Sequence, residues 1–114
     1  MTSITAVRLH SGDHSTYALQ ITGHADYGPA GADIVCAGVS AITYALAEFL
    51  VESTERVTLT QLVLNPGDVR IACTGSADDA FKMACLGYAL LQQQYPENIF
   101  LEINDAGNAI CSNV

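Results

Sequence analysis

The chain has no tryptophan and only four basic residues against twelve acidic ones, a formal net charge of −8 over 114 residues. Arg8, Arg56, Arg70 and Lys82 are scattered along it. A phosphate-binding surface needs clustered Lys and Arg, so direct binding of nucleic acid is excluded. An acidic surface instead steers basic partners, an effect that salt weakens. Cysteine is sparse as well: Cys36, Cys73, Cys85 and Cys111, with no C-x-x-C pair among them. Zinc-ribbon and thioredoxin-type motifs are therefore missing, and no metal is expected. No basic segment followed by an apolar run opens the sequence, so no secretory leader is expected. No apolar stretch is expected to reach the length needed to cross a bilayer. The cytoplasm is the expected compartment, where these cysteines stay reduced.

What the chain does have is apolar residues, half of its composition, with only 14% charged. One domain over residues 1–114 is expected. At this length it buries roughly two-thirds of its unfolded surface and needs neither metal nor disulfide to stay folded. Ile4 to Thr22 carries two runs of period-2 alternation. Ile4, Ala6, Arg8 and His10 share one face of the first, Val7 and Leu9 the other. Ser11-Gly12-Asp13 is a turn signal, and Tyr17, Leu19 and Ile21 alternate in the second, so the pair predicts a β-hairpin. Gly23, Gly28, Pro29 and Gly31 then mark a mobile loop. A helix is predicted from about Ile34 to Glu52, with Val35, Val39, Ile42, Leu46, Phe49 and Leu50 as its apolar face and Asp33 as its N-cap. Val57–Leu64 and Val69–Cys73 read as strands around the turn Asn65-Pro66-Gly67-Asp68. A second helix starts near Ser76-Ala77-Asp78-Asp79, buries Phe81, Ala84, Cys85, Tyr88 and Leu91, and stops before Pro96. Ile99, Leu101 and Ile103 form a last strand, followed by a polar tail. The order β-β-α-β-β-α-β predicts an α+β fold of two layers, with a largely antiparallel or mixed sheet and two helices.

Residues 23–40, GHADYGPAGADIVCAGVS, concentrate the reactive groups. With Asp33 as N-cap, Cys36 falls in the first helical turn. There unpaired backbone N–H groups and the positive end of the helix dipole favour an anion, and the thiolate is the nucleophilic form of cysteine. His24 lies twelve residues earlier, across the glycine-rich loop. A loop that folds back would bring imidazole to sulfur, the minimum set for thiol nucleophilic catalysis. N–H groups at the helix start offer an oxyanion site. Ser40, one turn after Cys36, points along the same side of the helix. Asp33 has three open roles: cap, orienter of His24 or substrate contact. Tyr27 either lines a cleft or anchors the loop. Cys73 and Cys85 read as core thiols, and Cys111 falls in the tail.

Gly23-His24-Ala25, Tyr27-Gly28, Gly31, Asp33-Ile34-Val35-Cys36-Ala37 and Val39-Ser40 resemble the signature of the Prp family, bacterial ribosomal-processing cysteine proteases. The resemblance implies an endopeptidase that removes the N-terminal extension of large-subunit ribosomal protein number twenty-seven during ribosome assembly. It implies Cys36 as nucleophile, His24 as base, Asp33 and Ser40 as supporting residues, and Gly23, Tyr27, Gly28 and Gly31 in a loop that moves over the substrate. It further implies a bulky hydrophobic or aromatic residue before the cut, a homodimer, and no cofactor. A basic ribosomal protein suits a chain at −8. Two other readings of the same residues stand beside it: a non-catalytic module that binds a basic ribosomal protein with Cys36 in its core, and a thiol redox sensor.

Overall fold

A computed structural model describes residues 1–11, 14–29 and 31–105. The turn at Gly12-Asp13, Ala30 and the tail that holds Cys111 lie outside the described residues. The elements are β1 (Thr2–Ser11), β2 (His14–Thr22), α1 (Ile34–Glu52), β3 (Val57–Asn65), β4 (Asp68–Gly75), α2 (Asp78–Gln94) and β5 (Ile99–Asp105). They build one five-stranded sheet in the order β3-β4-β2-β1-β5. β1–β2, β2–β4 and β3–β4 pair antiparallel, and β5 joins β1 in parallel. The parallel pair follows from the crossover through α2, which returns the chain to the edge where β1 starts. The expected α+β arrangement with a mixed sheet is what forms.

Both helices lie over the face built by Ile4, Ala6, Tyr17, Leu19, Ile21, Ile71, Cys73 and Ile99, each at most 5% exposed. Period-2 alternation puts these residues together, and burying them against α1 and α2 is the main stabilising term. Leu9, on the opposite face, stays half exposed. In α1 the buried residues are Val35, Val39, Thr43, Leu46, Ala47 and Leu50. Phe49, expected in that face, instead lies 46% exposed, and the Arg56 guanidinium sits 5.5 Å above its ring. Thr43 takes a core position because its hydroxyl has partners: it donates to the Val39 carbonyl oxygen at 2.7 Å and meets the Tyr88 hydroxyl at 2.7 Å. In α2, Phe81, Ala84, Cys85, Tyr88 and Ala89 are buried, and Leu91 is partly so. The cap of α2 is Ala77, with no side-chain cap bond. Asp78 and Asp79 occupy its first turn.

One expectation needs correction. α1 is long and apolar enough to cross a membrane by length and composition, against the expectation that no stretch is. Its inward face, with Val35, Val39, Leu46 and Leu50, packs into the core, while Ile34, Tyr44, Phe49 and Val51 stay exposed. Arg8, grouped with the scattered bases, is only 4% exposed. It donates to Asp78 at 2.8 Å and to Asp105 at 3.3 Å, and Asp78 also accepts from the Tyr17 hydroxyl. This charged cluster closes the end of the sheet remote from Cys36.

Candidate active site

The other end of the sheet holds a cleft of about 180 Å³. The start of β1 (Thr2), the end of β2 (Ile21), the first three turns of α1 (Cys36, Val39, Ser40, Thr43, Tyr44) and the β3–β4 turn (65–69) line it, together with Gly23 and His24. Three groups from the reactive segment, His24, Cys36 and Ser40, therefore share one open cavity. Cys36 is partly exposed and His24 exposed, so both are within reach of a substrate. Cys73 and Cys85 are 0% and 1% exposed. Burial pushes the Cys73 thiol up to about 11, which keeps it protonated and inert.

Asp33 fixes the geometry. Its Oδ1 accepts from the N–H groups of Val35 at 2.9 Å and Cys36 at 3.0 Å, and its Oδ2 accepts from Tyr27 at 2.9 Å and Gly28 at 3.2 Å. One carboxylate thus caps α1 and ties the loop back onto it. The Cys36 N–H, followed by those of the loop and Val35, holds the Asp33 carboxyl below its usual range. Of the roles open to Asp33, the structure supplies the cap. The same bonds occupy the Val35 and Cys36 N–H groups, so these two are not free to act as an oxyanion site. The donor aimed at sulfur is one that sequence reasoning missed: the Ala25 N–H, 3.4 Å from Cys36 Sγ. Such a contact stabilises a thiolate.

His24 rests on the β3–β4 turn. The Gly23 N–H donates to the Gly67 carbonyl oxygen at 3.1 Å, which seats the start of the loop. A Cβ on Gly67 would lie 2.9 Å from His24 Nε2, so the imidazole packs where any side chain would stand. Among the described residues no hydrogen bond joins His24 to Cys36. Tyr27 packs edge-on against Tyr95 at 5.1 Å and stays outside the cleft lining, so it anchors the loop. Gly28 and Gly31 also lie outside the lining, and Gly23 is part of it. The turn at 65–68 is legible in the sequence as a turn. Its place beneath His24 follows only from the β2–β4 pairing, for which the local sequence carries no signal. Among the described residues no group of three or more His, Cys, Asp or Glu side chains is placed to hold a metal ion.

Solved proteins share this fold. The essential ribosomal processing protease Prp from S. aureus, solved with a covalently linked product peptide, superposes with a TM-score of 0.72 at 25% identity, over 90% of this chain and 99% of that one. The same enzyme with a substrate peptide gives 0.65 at 23% identity over the same shares. SMU.848 from Streptococcus mutans gives 0.64 at 26% identity, over 92% of this chain and 95% of that one. No curated protein matches the chain. The family Peptidase_Prp, cysteine protease Prp, matches residues 1–100, and the chain belongs to that family of cysteine proteases.

Proposed function

We propose that this chain is a cytoplasmic endopeptidase that removes the N-terminal extension of large-subunit ribosomal protein number twenty-seven, with Cys36 as nucleophile and His24 as base. The observation that carries the reading is the convergence of Cys36, His24 and Ser40 on one open cleft, in a chain of a cysteine protease family. The S. aureus relative, described as a ribosomal processing protease, supports the substrate class. The net charge of −8 supports a basic substrate.

The chemistry runs through the thiol. His24 takes the Cys36 proton as sulfur attacks the scissile carbonyl, and a C–S bond forms. The C–N bond then breaks and the proton passes to the leaving amine. Water, deprotonated by His24, attacks the thioester, the C–S bond breaks with its electron pair going to sulfur, the proton returns from His24 to Cys36, and the acid product leaves. A swing of the His24 side chain off Gly67 carries the imidazole to sulfur on substrate binding, while Ala25 keeps its N–H on Sγ. Ile21, Val39 and Val69 give the cleft an apolar wall that suits a bulky hydrophobic residue before the cut. Ser40 stands beside the nucleophile as a substrate contact. Met83, Leu86 and Leu90 on α2 are exposed by 74%, 40% and 60%. They offer an apolar face for a second copy, in line with a homodimer.

The test is incubation with the extended ribosomal protein. Wild type is expected to cut, and Cys36→Ala and His24→Ala to leave the extension in place. Cutting by Cys36→Ala would overturn the nucleophile assignment. Binding without cutting by wild type would favour the non-catalytic module.

A further inference from the structure

Among the described residues the Ala25 N–H is the backbone donor seen on Cys36 Sγ. Ala25 directly follows His24, so whatever fixes the Ala25 backbone also sets both reactive groups. Ala25 is 1% exposed. Its carbonyl oxygen accepts from Asn98 Nδ2 at 2.8 Å, a contact spanning 73 residues. A carbonyl buried without a donor loses its hydration and gains nothing in return, so this bond constrains the loop strongly. Asn98 is held in turn on both sides of its own backbone. Its N–H donates to the Tyr95 carbonyl oxygen at 3.0 Å, and its carbonyl oxygen accepts from the Thr2 N–H at 2.9 Å. Tyr95 also packs its ring against Tyr27 of the same loop. The α2–β5 connection (95–98) therefore grips the loop from one side while Asp33 grips it from the other.

We infer that Asn98 is a positioning residue of the active site, whose side-chain amide holds the Ala25 N–H on the Cys36 sulfur and keeps the His24–Ala25 peptide in register with it. The inference rests on the reading of Cys36 as nucleophile. A carbonyl oxygen only accepts, so the amide must present its NH₂ side to Ala25. Aspartate has the same shape and no donor there, and would face the carbonyl with a second acceptor.

The test compares Asn98→Ala and the isosteric Asn98→Asp with wild type, in three readouts: thermal unfolding, the pH profile of Cys36 alkylation by iodoacetamide without substrate, and kcat and KM on a peptide spanning the cut. Both variants are expected to stay folded. Loss of one aligned hydrogen bond predicts kcat about 3- to 10-fold lower, with KM within about twofold. The alkylation profile is expected to move to higher pH, further for Asn98→Asp than for Asn98→Ala. If Asn98→Ala does not fold, Asn98→Asp carries the same readouts. A wild-type alkylation profile and kcat in the folded variants would overturn the inference, and so would equal behaviour of Asn98→Asp and wild type at every pH. Alkylation reports on sulfur without proteolysis. Failure of the protease reading would therefore show separately, as cleavage that survives Cys36→Ala.

Discussion

At Gly67 a side chain would have to push the His24 imidazole aside. The residue sits at φ +74, in the left-handed region, and a Cβ there meets His24 Nε2 at 2.9 Å. If His24 is the base, Gly67→Ala is expected to lower kcat about threefold or more by pushing the imidazole off the resting place from which it swings to sulfur. Alkylation of Cys36 by a small reagent should fall much less, because the thiol keeps its cap and the Ala25 N–H. Steady-state kinetics beside alkylation rates check this, and a parallel fall of both would mean that the turn itself had collapsed. Asp33 makes a pH-dependent contribution. Its folded carboxyl lies below the ordinary value of 3.8, chiefly through the Cys36 N–H. A lowered folded value adds stability above the unfolded value, and that stability is lost as pH falls through the folded one. The difference in Tm between wild type and Asp33→Asn should therefore be full above about pH 5 and shrink below about pH 4. Scanning calorimetry across that range tests it, and a constant difference would contradict it.

At the scale of elements, α1 and α2 approach each other over glycines. A Cβ on Gly38 meets the Leu91 methyls at 3.3 Å, whereas one on Gly87 meets Ile42 Cδ1 at 2.8 Å. Alanine favours a helix over glycine by about 1 kcal/mol. Gly38→Ala is thus expected to stabilise by up to that amount, and Gly87→Ala by less, because Ile42 must shift. Denaturant melts of the two variants give the order, and the reverse order would contradict this packing. The elements themselves are largely legible in the sequence. Alternation places Ile4, Ala6, Tyr17, Leu19 and Ile21 on the buried face, and the Asp33 cap sets the start of α1 at Ile34. Phe49 is misplaced by pattern because helical spacing alone does not say how wide the buried stripe is. Thr43 enters the core through a hydroxyl partner on another helix, which no local pattern encodes. The site is legible where it is local: Cys36, Ser40 and the cap fall within two or so turns of one helix. Gly67 and Asn98 reach it only through strand pairing and chain return, so their place at the site leaves no trace in the linear order, and Ala25, though next to His24, shows no sign there of its contact with sulfur.

Across the whole molecule, chemistry and charge burial sit at opposite ends of the sheet. Arg8, with its side chain 5% exposed, bonds Asp78 and Asp105 at one end, and the cleft lies at the other. Removing one partner of a buried ion cluster costs about 3 kcal/mol, mostly from the charge left behind. Arg8→Ala is expected to unfold at clearly lower temperature yet to keep a kcat near wild type well below its Tm. A large loss of kcat in the folded variant would show that the two ends are coupled. The cleft as a whole is read as cutting a peptide bond through a thioester on Cys36. The direct test is intact-mass and peptide mass spectrometry of the protein quenched during turnover of a slow peptide substrate. The expected result is a mass increment equal to the acyl half of the substrate, mapped to Cys36 and absent from Cys36→Ala. Cleavage that persists in Cys36→Ala, or an acyl group mapped to another residue, would contradict it.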